Sequence, residues 1–446
     1  MKMHDALRND AAKIWSAALK AVDAEGAVRK FVSRRGRELR VGNRRFEIPI
    51  SKRLWVIGAG KAAAHMGGTL EEILGSRLTG GVVVTKYGHG VPLRKLSLLE
   101  SGHPLPDRNS VAAGERLISF VRSEVRPDDL VLCVLSGGAS ALVTAPVPGI
   151  SWEEKQECTK LLLNTSADIR ELNTIRKHLS MLKGGGLARL LAPARVINLI
   201  LSDVVGDRLD TIASGPLSPD STTFGDCIGI LQRLDLLDRV PKPVRKLFEN
   251  GAAGKLPETP KPGDPAFKKV MSIVVASNSA ACTAAAREAR RLGYRPAVIT
   301  TRLEGDNREA ARFHMSLALE VAAENRPVRR PACILSGGET TVEVTGTGKG
   351  GRNMEFTLAC AKTLAALDAP CLVASVGTDG TDGPTDAAGA LADNTTAARA
   401  LKFGARFLEE SLENNDSYTF FRRLGDLIMT GPTGTNVMDL HLILIG

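Results

Sequence analysis

Aromatic residues are scarce in this chain: 12 Phe, 3 Trp and 3 Tyr among 446 residues. Proteins that hold single-stranded nucleic acid stack its bases on such rings, so no nucleic-acid partner is expected. Cysteines number seven, and none forms a C-x-x-C pair. An odd count without paired spacing argues against a disulfide framework. Positions such as Cys133 in LVLCVL point instead to buried free thiols in a reducing compartment. The seven histidines include no H-x-H or H-x-x-x-H spacing, which leaves a zinc site without its usual ligand pattern. No apolar run reaches 18 residues, so no membrane-spanning helix is expected. The opening stretch MKMHDALRNDAAKIW carries Asp5 and Asp10 and fits neither a signal peptide nor a transit peptide. The expectation is a soluble, cytoplasmic protein with no membrane partner.

Glycine, by contrast, is abundant at 44 residues, as in chains that use many tight backbone turns. The length suits two domains. A content of 43% hydrophobic and 24% charged residues is an ordinary globular balance. The net charge of +10 is concentrated near the start, where Arg29 to Arg53 holds ten Lys or Arg against Glu38 and Glu47. No nucleic-acid-binding motif accompanies this window, so a solvated helix and loop is expected there.

Residues 4–32 carry apolar positions at helical spacing and predict a helix. Beyond them, short apolar runs alternate with helical patterns. LWVIGAG, GGVVVTK, DLVLCVL and ARVINLIL each run into a Gly-rich or polar loop. Such strands predict a parallel sheet covered on both faces, with ligand loops at the carboxyl ends of the strands. The stretch GAAGKLPETPKPGDPAF, residues 251–267, holds four Pro and three Gly and is expected to be the interdomain linker. After it, MSIVVAS, YRPAVITT, PACILSGG, TVEVT, CLVASVG, LIM and HLILI predict the strands of a second α/β domain. The expected fold class is α/β in two domains: a parallel-sheet domain over residues 1–262 and a smaller α/β domain over 263–446.

Several loops could carry chemistry. Gly58-Ala59-Gly60-Lys61 lies between a strand and a helix, where free N–H groups and the helix dipole favour an anion. It passes loosely as a dinucleotide fingerprint, but Lys86 stands where that fingerprint wants an acidic residue. Ser136-Gly137-Gly138-Ala139-Ser140 repeats the geometry with small hydroxyls, and Leu142 removes it from the nucleophile-elbow pattern. Arg176, Ser180 and Lys183 are spaced to share one helical face and form an anion clamp. Asp203 follows a strand, as a carboxylate for Mg²⁺ or general-base work would. In the second half, Gly350-Gly351-Arg352 gives a basic loop at a helix start. Asp379, Asp382 and Asp386 lie within eight residues, so that one or two could serve a Mg²⁺ ion. Backbone N–H groups, hydroxyls, a few cations and a few carboxylates suit a small anionic substrate with a magnesium-bound polyphosphate.

The strings VIGAGKAA (56–63), LSGGASAL (135–142), NTIRKHLSMLKGGGLA (173–188), LSDVVGDRLDTIASGPLSPDSTT (201–223), LSGGETTVEVTGTGKGGRN (335–353) and VGTDGTDGPTDAAGA (376–390) resemble the class II glycerate kinases, the MOFRL-domain family. The likeness runs from about residue 6 to residue 441. It implies a Rossmann-like N-terminal domain, a smaller MOFRL-type domain and an active site in the cleft between them. It also implies ATP-dependent phosphorylation of D-glycerate at the 2-hydroxyl, giving 2-phosphoglycerate and ADP. Members also carry the label hydroxypyruvate reductase, which makes an NAD(P)H-dependent reductase the alternative.

The family's functional lysine, aspartate and arginine fall on Lys61, Asp203 and Arg352. Two positions depart from its pattern: Met354 where Gln is common, and Met438 where Asn is common. The expected mechanism holds the glycerate carboxylate on Ser136, Gly137, Gly138 and Ser140 with Arg176 and Lys183. Lys61 neutralises the transferred phosphoryl group, Asp203 serves the hydroxyl or the metal, and Arg352 reaches over from the second domain. Expected nucleotide contacts are Gly58, Gly60, Asn278, Gly337, Gly338, Glu339 and Asp379, with Asp203 and Asp379 as candidate Mg²⁺ ligands. D-glycerate, ATP and Mg²⁺ are the expected ligands, and a homodimer is compatible with the sequence.

Overall fold

The computed structural model describes residues 2–446, with side chains from His4 onward. The chain separates into two compact units. The first, here the N-unit, comprises Val28–Leu201 and Asp207–Val275. The second, the C-unit, takes the residues up to Ala27, the short segment Ser202–Gly206 and Ala276–Gly446. This division differs from the boundary expected between residues 262 and 263.

The N-unit begins with a three-stranded antiparallel meander of β1 (Val32–Arg35), β2 (Glu38–Val41) and β3 (Arg44–Glu47). The basic window is therefore largely a small sheet, not the expected solvated helix and loop, and residues 4–32 form two helices, Lys2–Ala21 and Ala24–Phe31. Two tight turns containing Gly36 and Gly42 link the strands, and Leu39 and Val41 turn inward while Arg40 between them faces water.

A six-stranded sheet follows, ordered β6-β5-β4-β7-β8-β9, from β4 (Leu54–Ala59), β5 (Gly80–Lys86), β6 (Leu96–Ser101), β7 (Leu130–Leu135), β8 (Arg195–Leu201) and β9 (Val270–Ala276). The pairings from β6 through β8 are all parallel. Every residue of β4 and β7 is buried, as continuous apolar runs inside a doubly covered parallel sheet require. The chain winds outward from β4 to β6, then returns to place β7 on the other side of β4. The carboxyl ends of β4 and β7 thus flank the point where strand order reverses, the favoured ligand position in such sheets.

The expected linker is part of this unit. Thr259 Oγ1 donates to Asp220 (2.9 Å), Glu258 accepts the Phe224 N–H (2.8 Å), and β9, read as the start of the second domain, is the sixth strand of the first sheet.

The C-unit sheet is mixed, ordered β10-β11-β15-β12-β13-β14. Its strands are β10 (Arg295–Leu303), β11 (Ala332–Gly338), β12 (Cys371–Gly377), β13 (Gly389–Asp393), β14 (Leu427–Ile428) and β15 (Asp439–Ile445). Only β10 and β11 pair in parallel; the central β15 runs antiparallel to both neighbours. The expected TVEVT strand is absent apart from one bridge at Thr341. Asn415 and Asn414 take the N–H groups of Thr345, Gly346 and Thr347 (2.9, 3.0 and 2.9 Å), which hold the segment as a loop. The first helix docks here through Arg8, which bonds Asp393 and Asp426 at 2.6 Å each. All seven cysteines are free and buried, and no helix is long and apolar enough to cross a membrane among the described residues.

Candidate active site

In the N-unit the turn after β4 and the turn after β7 lace together. Lys61 N–H donates to Gly137 O (2.8 Å), and Ala62 N–H to Ser136 Oγ (3.0 Å). Gly60 N–H reaches Val84 O (3.1 Å) and Ala63 N–H reaches Gly60 O (3.0 Å). Four consecutive N–H groups, residues 60–63, are therefore already satisfied, and the expected backbone cradle for an anion is not formed. Gly58 and Gly60 serve close packing instead. A Cβ on Gly58 would stand 2.2 Å from Val134 Cγ2, and one on Gly60, where φ is +137°, 2.1 Å from Ser136 Oγ. Ser136, expected to hold substrate, is buried with its hydroxyl committed to Ala62. What the paired turns present is the half-buried Lys61 side chain.

Beside them lies a cavity of about 820 Å³ whose lining includes Gly138, Ser140, Arg176 and Lys183 from the expected set, together with His103 and Lys155. Gly138 has a left-handed backbone (φ +85°), and a Cβ there would lie 2.8 Å from His103 Cδ2 and 3.3 Å from Lys61 Cγ. The cavity wall thus touches the lysine-bearing turn. Gly137 takes part through its carbonyl, which holds Lys61. Lys183 Nζ donates to Ser140 O and Oγ (2.5 and 2.6 Å), and Ser140 Oγ meets Ser214 Oγ at 2.8 Å.

Arg176 and Lys183 both line this cavity, but not from one helical face. The helix Ile169–His178 ends before Ser180, whose hydroxyl turns to the N–H groups of Leu182 and Lys183 (3.3 Å each). Lys183 enters the cavity from the turn that follows.

Burial sets the electrostatics of this cavity. It holds Arg176 below its ordinary pKa, and with Lys155 and Arg176 as neighbours it depresses Lys183. Lys155, enclosed and next to Arg176, is pushed down to about 7. His103 is pushed down to about 4 by burial and then by Lys61 and Lys86, so it is neutral at physiological pH. The motif reading missed His103 and Lys155. The signal for Lys155 was its place in the inward stripe Lys155, Cys158, Leu162 of the helix Trp152–Leu163, where an apolar residue is the rule.

In the C-unit, Arg352 opens the helix Arg352–Ala365. Its Nε and Nη2 donate to Asp439 (2.5 and 3.2 Å) and its Nη1 to Glu339 (2.6 Å). Burial lowers its pKa, but Asp439 and Glu339 outweigh that and raise it. The guanidinium expected to extend toward a phosphoryl group is thus held by two carboxylates of its own unit. Asn353 Nδ2 bridges Asp439 (3.0 Å) and Asp382 (3.2 Å), and Asp382 accepts the N–H groups of Asn353 (3.0 Å) and Met354 (2.8 Å). Asp382 is therefore a helix cap supplied from a distant loop. Asp386 takes the Tyr418 hydroxyl (2.8 Å), which leaves Asp379, turned onto Thr381 N and Oγ1 (3.1 Å each), as the candidate ligand of that loop. Asp379 lines a cavity of about 560 Å³ with Arg352, Asp382 and Thr341.

The remaining expected nucleotide contacts divide. Glu339 faces Arg352. Asn278 is instead buried, with its amide donating to Val437 O (2.9 Å) and Asp439 O (2.8 Å). Gly337 packs on it, where a Cβ would stand 1.8 Å from Asn278 Oδ1, and Gly338 packs on Leu303. These three hold β11 in place and offer no open surface through their side chains. Met354 lies in the hydrophobic core, and buried Met438 has a left-handed φ of +69°.

Asp203 lies two residues beyond the end of β8 and is half-buried in the segment that belongs to the C-unit. Of the three expected catalytic residues, Lys61 belongs to the N-unit and Asp203 and Arg352 to the C-unit. Among the described residues, no group of three or more His, Cys, Asp or Glu could hold a metal ion by itself. Single carboxylates such as Asp203 and Asp379 fit Mg²⁺, which keeps waters and phosphate oxygens as its other ligands.

A family model described as a domain of unknown function (DUF4147) matches residues 10–249, and the MOFRL family model matches residues 332–439. The chain is 40% identical to the glycerate 2-kinase of Pyrococcus horikoshii, over 98% of this chain and 97% of that one. It is 42% identical to the D-glycerate 2-kinase of Thermotoga maritima, over 88% and 91%. Its fold matches the crystal structure of a glycerate kinase from Thermotoga maritima with a TM-score of 0.87 at 39% identity, covering 99% of this chain and all of the other. By likeness over nearly its whole length, the chain belongs to the DUF4147–MOFRL family of glycerate 2-kinases.

Proposed function

We propose that this protein transfers the γ-phosphoryl group of ATP to the 2-hydroxyl of D-glycerate, giving 2-phosphoglycerate and ADP. The observation that carries the reading is the N-unit cavity. Lys155, Arg176 and Lys183 line it, none of them bonds a carboxylate among the described residues, and its wall touches the turn that carries Lys61. Such a place selects a small anion and sets it beside a lysine. In a loose phosphoryl-transfer transition state, positioning and charge neutralisation supply most of the catalysis.

In this reading Lys61 neutralises the transferred group, and Asp203 accepts the hydroxyl proton. Arg352 exchanges Glu339 for a phosphate oxygen while Asp439 keeps its other edge fixed. Asp203 and Asp379 would hold Mg²⁺, which neutralises charge on the phosphate oxygens when bound. The reductase alternative has less support: β5 ends at Lys86, where a dinucleotide ribose would require a carboxylate.

An enolase-coupled assay with Mg²⁺-ATP and D-glycerate tests the reading, because enolase acts on 2-phosphoglycerate and not on the 3-isomer. A signal is expected. ADP release without it would move the phosphoryl group to another position or another acid. Consumption of NADH with hydroxypyruvate, and no ADP, would replace the kinase reading.

A further inference from the structure

We propose that Lys155 is the specificity-determining residue for the acceptor: with Arg176, it seats the substrate carboxylate in the N-unit cavity. This rests on the reading that the acceptor is a small carboxylic acid. Lys155 is 6% exposed, and its Nζ is enclosed with no hydrogen-bond partner among the described residues. A buried ammonium without a counter-charge is strongly disfavoured. The charges that bear on it are those of the cations Arg176 and Lys183. Glu154, its neighbour in sequence, turns back to accept the Ser151 N–H (2.7 Å). Glu153 and Glu157 also line the cavity, but both are exposed and neither bonds the Lys155 Nζ.

Lys183 differs from Lys155, because Ser140 already holds it. It braces the turn, while Lys155 and Arg176 keep their donors for a ligand. An ammonium beside a planar guanidinium suits a carboxylate, whose two oxygens can accept from both. The anion so held lies in the cavity whose wall touches Lys61. That places the acceptor, and not the nucleotide, on these cations.

The test compares wild type with Lys155→Met, which keeps an unbranched side chain one atom shorter and removes its charge. The first measurement is thermal melting with D-glycerate, glycolate or malonate and no ATP. The expected result is that D-glycerate raises the wild-type melting temperature and that Lys155→Met melts higher than wild type when unliganded but gains nothing from any of the three acids. In turnover, KM for D-glycerate should rise roughly 10- to 100-fold, as loss of a charge-assisted contact implies, with KM for ATP unchanged and kcat altered less than KM.

An unchanged response to the acids, or a rise confined to KM for ATP, would overturn the assignment. So would a lower melting temperature with kcat and KM equally damaged, the mark of a merely structural lysine. Arg176→Gln, read by the same melting shifts, decides the matter if Lys155→Met does not fold. Carboxylate stabilisation that depends on Lys155 in a protein that does not phosphorylate glycerate would leave this inference standing while the proposed activity falls.

Discussion

Asp382 links the C-unit's stability to pH. Its carboxylate is 2% exposed and caps the helix Arg352–Ala365 by accepting two backbone N–H groups. Burial, reinforced by Asp439, pushes its pKa from 3.8 up to about 6, against the pull of those N–H donors. A carboxyl group with a raised folded-state pKa binds its proton more tightly when folded. Between the two pKa values the native state holds more protons than the unfolded state, so stability falls as pH rises and levels off above about 6. A rise from 3.8 to about 6 corresponds to about 3 kcal/mol in all, of which about 2.5 kcal/mol is lost between pH 4 and pH 7.5. Asp382→Asn keeps one acceptor and cannot titrate. Urea unfolding of both proteins across this range should show the wild-type-minus-variant difference moving against the wild type by about that amount as pH rises. A difference that stays flat with pH would refute a raised pKa at Asp382. A difference that moves in favour of the wild type as pH rises would mean that the capping N–H groups win over burial.

Four other outcomes are expected. Lys61→Ala should lower kcat by about 100- to 1000-fold in the coupled assay while far-ultraviolet circular dichroism stays unchanged, since the turn is held by backbone groups and Ser136. Gly60→Ala should destabilise the N-unit by about 3 kcal/mol through overpacking against Ser136 and a disfavoured positive φ, read by urea unfolding. Arg8→Met should cost about 3 kcal/mol because it strips a cation from buried Asp393, while Asp426 keeps Arg399; unfolding curves with unchanged stability would detach the first helix from the C-unit. Met438→Val should melt lower than Met438→Asn, because a β-branched residue resists the left-handed backbone there while Asn tolerates it.

The parallel sheet of the N-unit was legible because its strands are buried on both faces and leave continuous apolar runs. LWVIGA and LVLCVL could hardly be anything else. Strand direction in the C-unit was not legible for the same reason: β11, β12 and β15 are equally apolar whether their neighbours run parallel or antiparallel. The boundary failed on proline. The Pro-rich stretch 251–267 has the composition of a linker, yet Glu258, Thr259 and Pro260 bond into the N-unit. Composition reports that a segment is irregular, and only long-range hydrogen bonds decide what it is attached to. The basic meander was missed because charge masked alternation: Leu39 and Val41 point inward between arginines, and the two Gly-containing turns between the strands are hairpin signals.

The site divides along a related line. Lys61, Lys183, Arg352 and Asp379 stood out because a charged residue in or beside a glycine-rich loop has few structural reasons to be there, and each of them lines a cavity or adjoins one, as does Arg176 from its helix. The small residues of the same loops misled. Gly58, Gly60, Ser136, Asn278 and Gly337 look like ligand cradles in sequence, but each is used to bring two backbone segments closer than a larger or apolar side chain would permit. A glycine next to a ligand and a glycine next to a strand carry the same signature, because both answer the same steric demand. Lys155 shows the reverse case. It lies in no motif, and its helix reads as ordinary until burial is known. A cation then stands in an apolar stripe with other cations for neighbours, an arrangement whose cost a bound anion would offset.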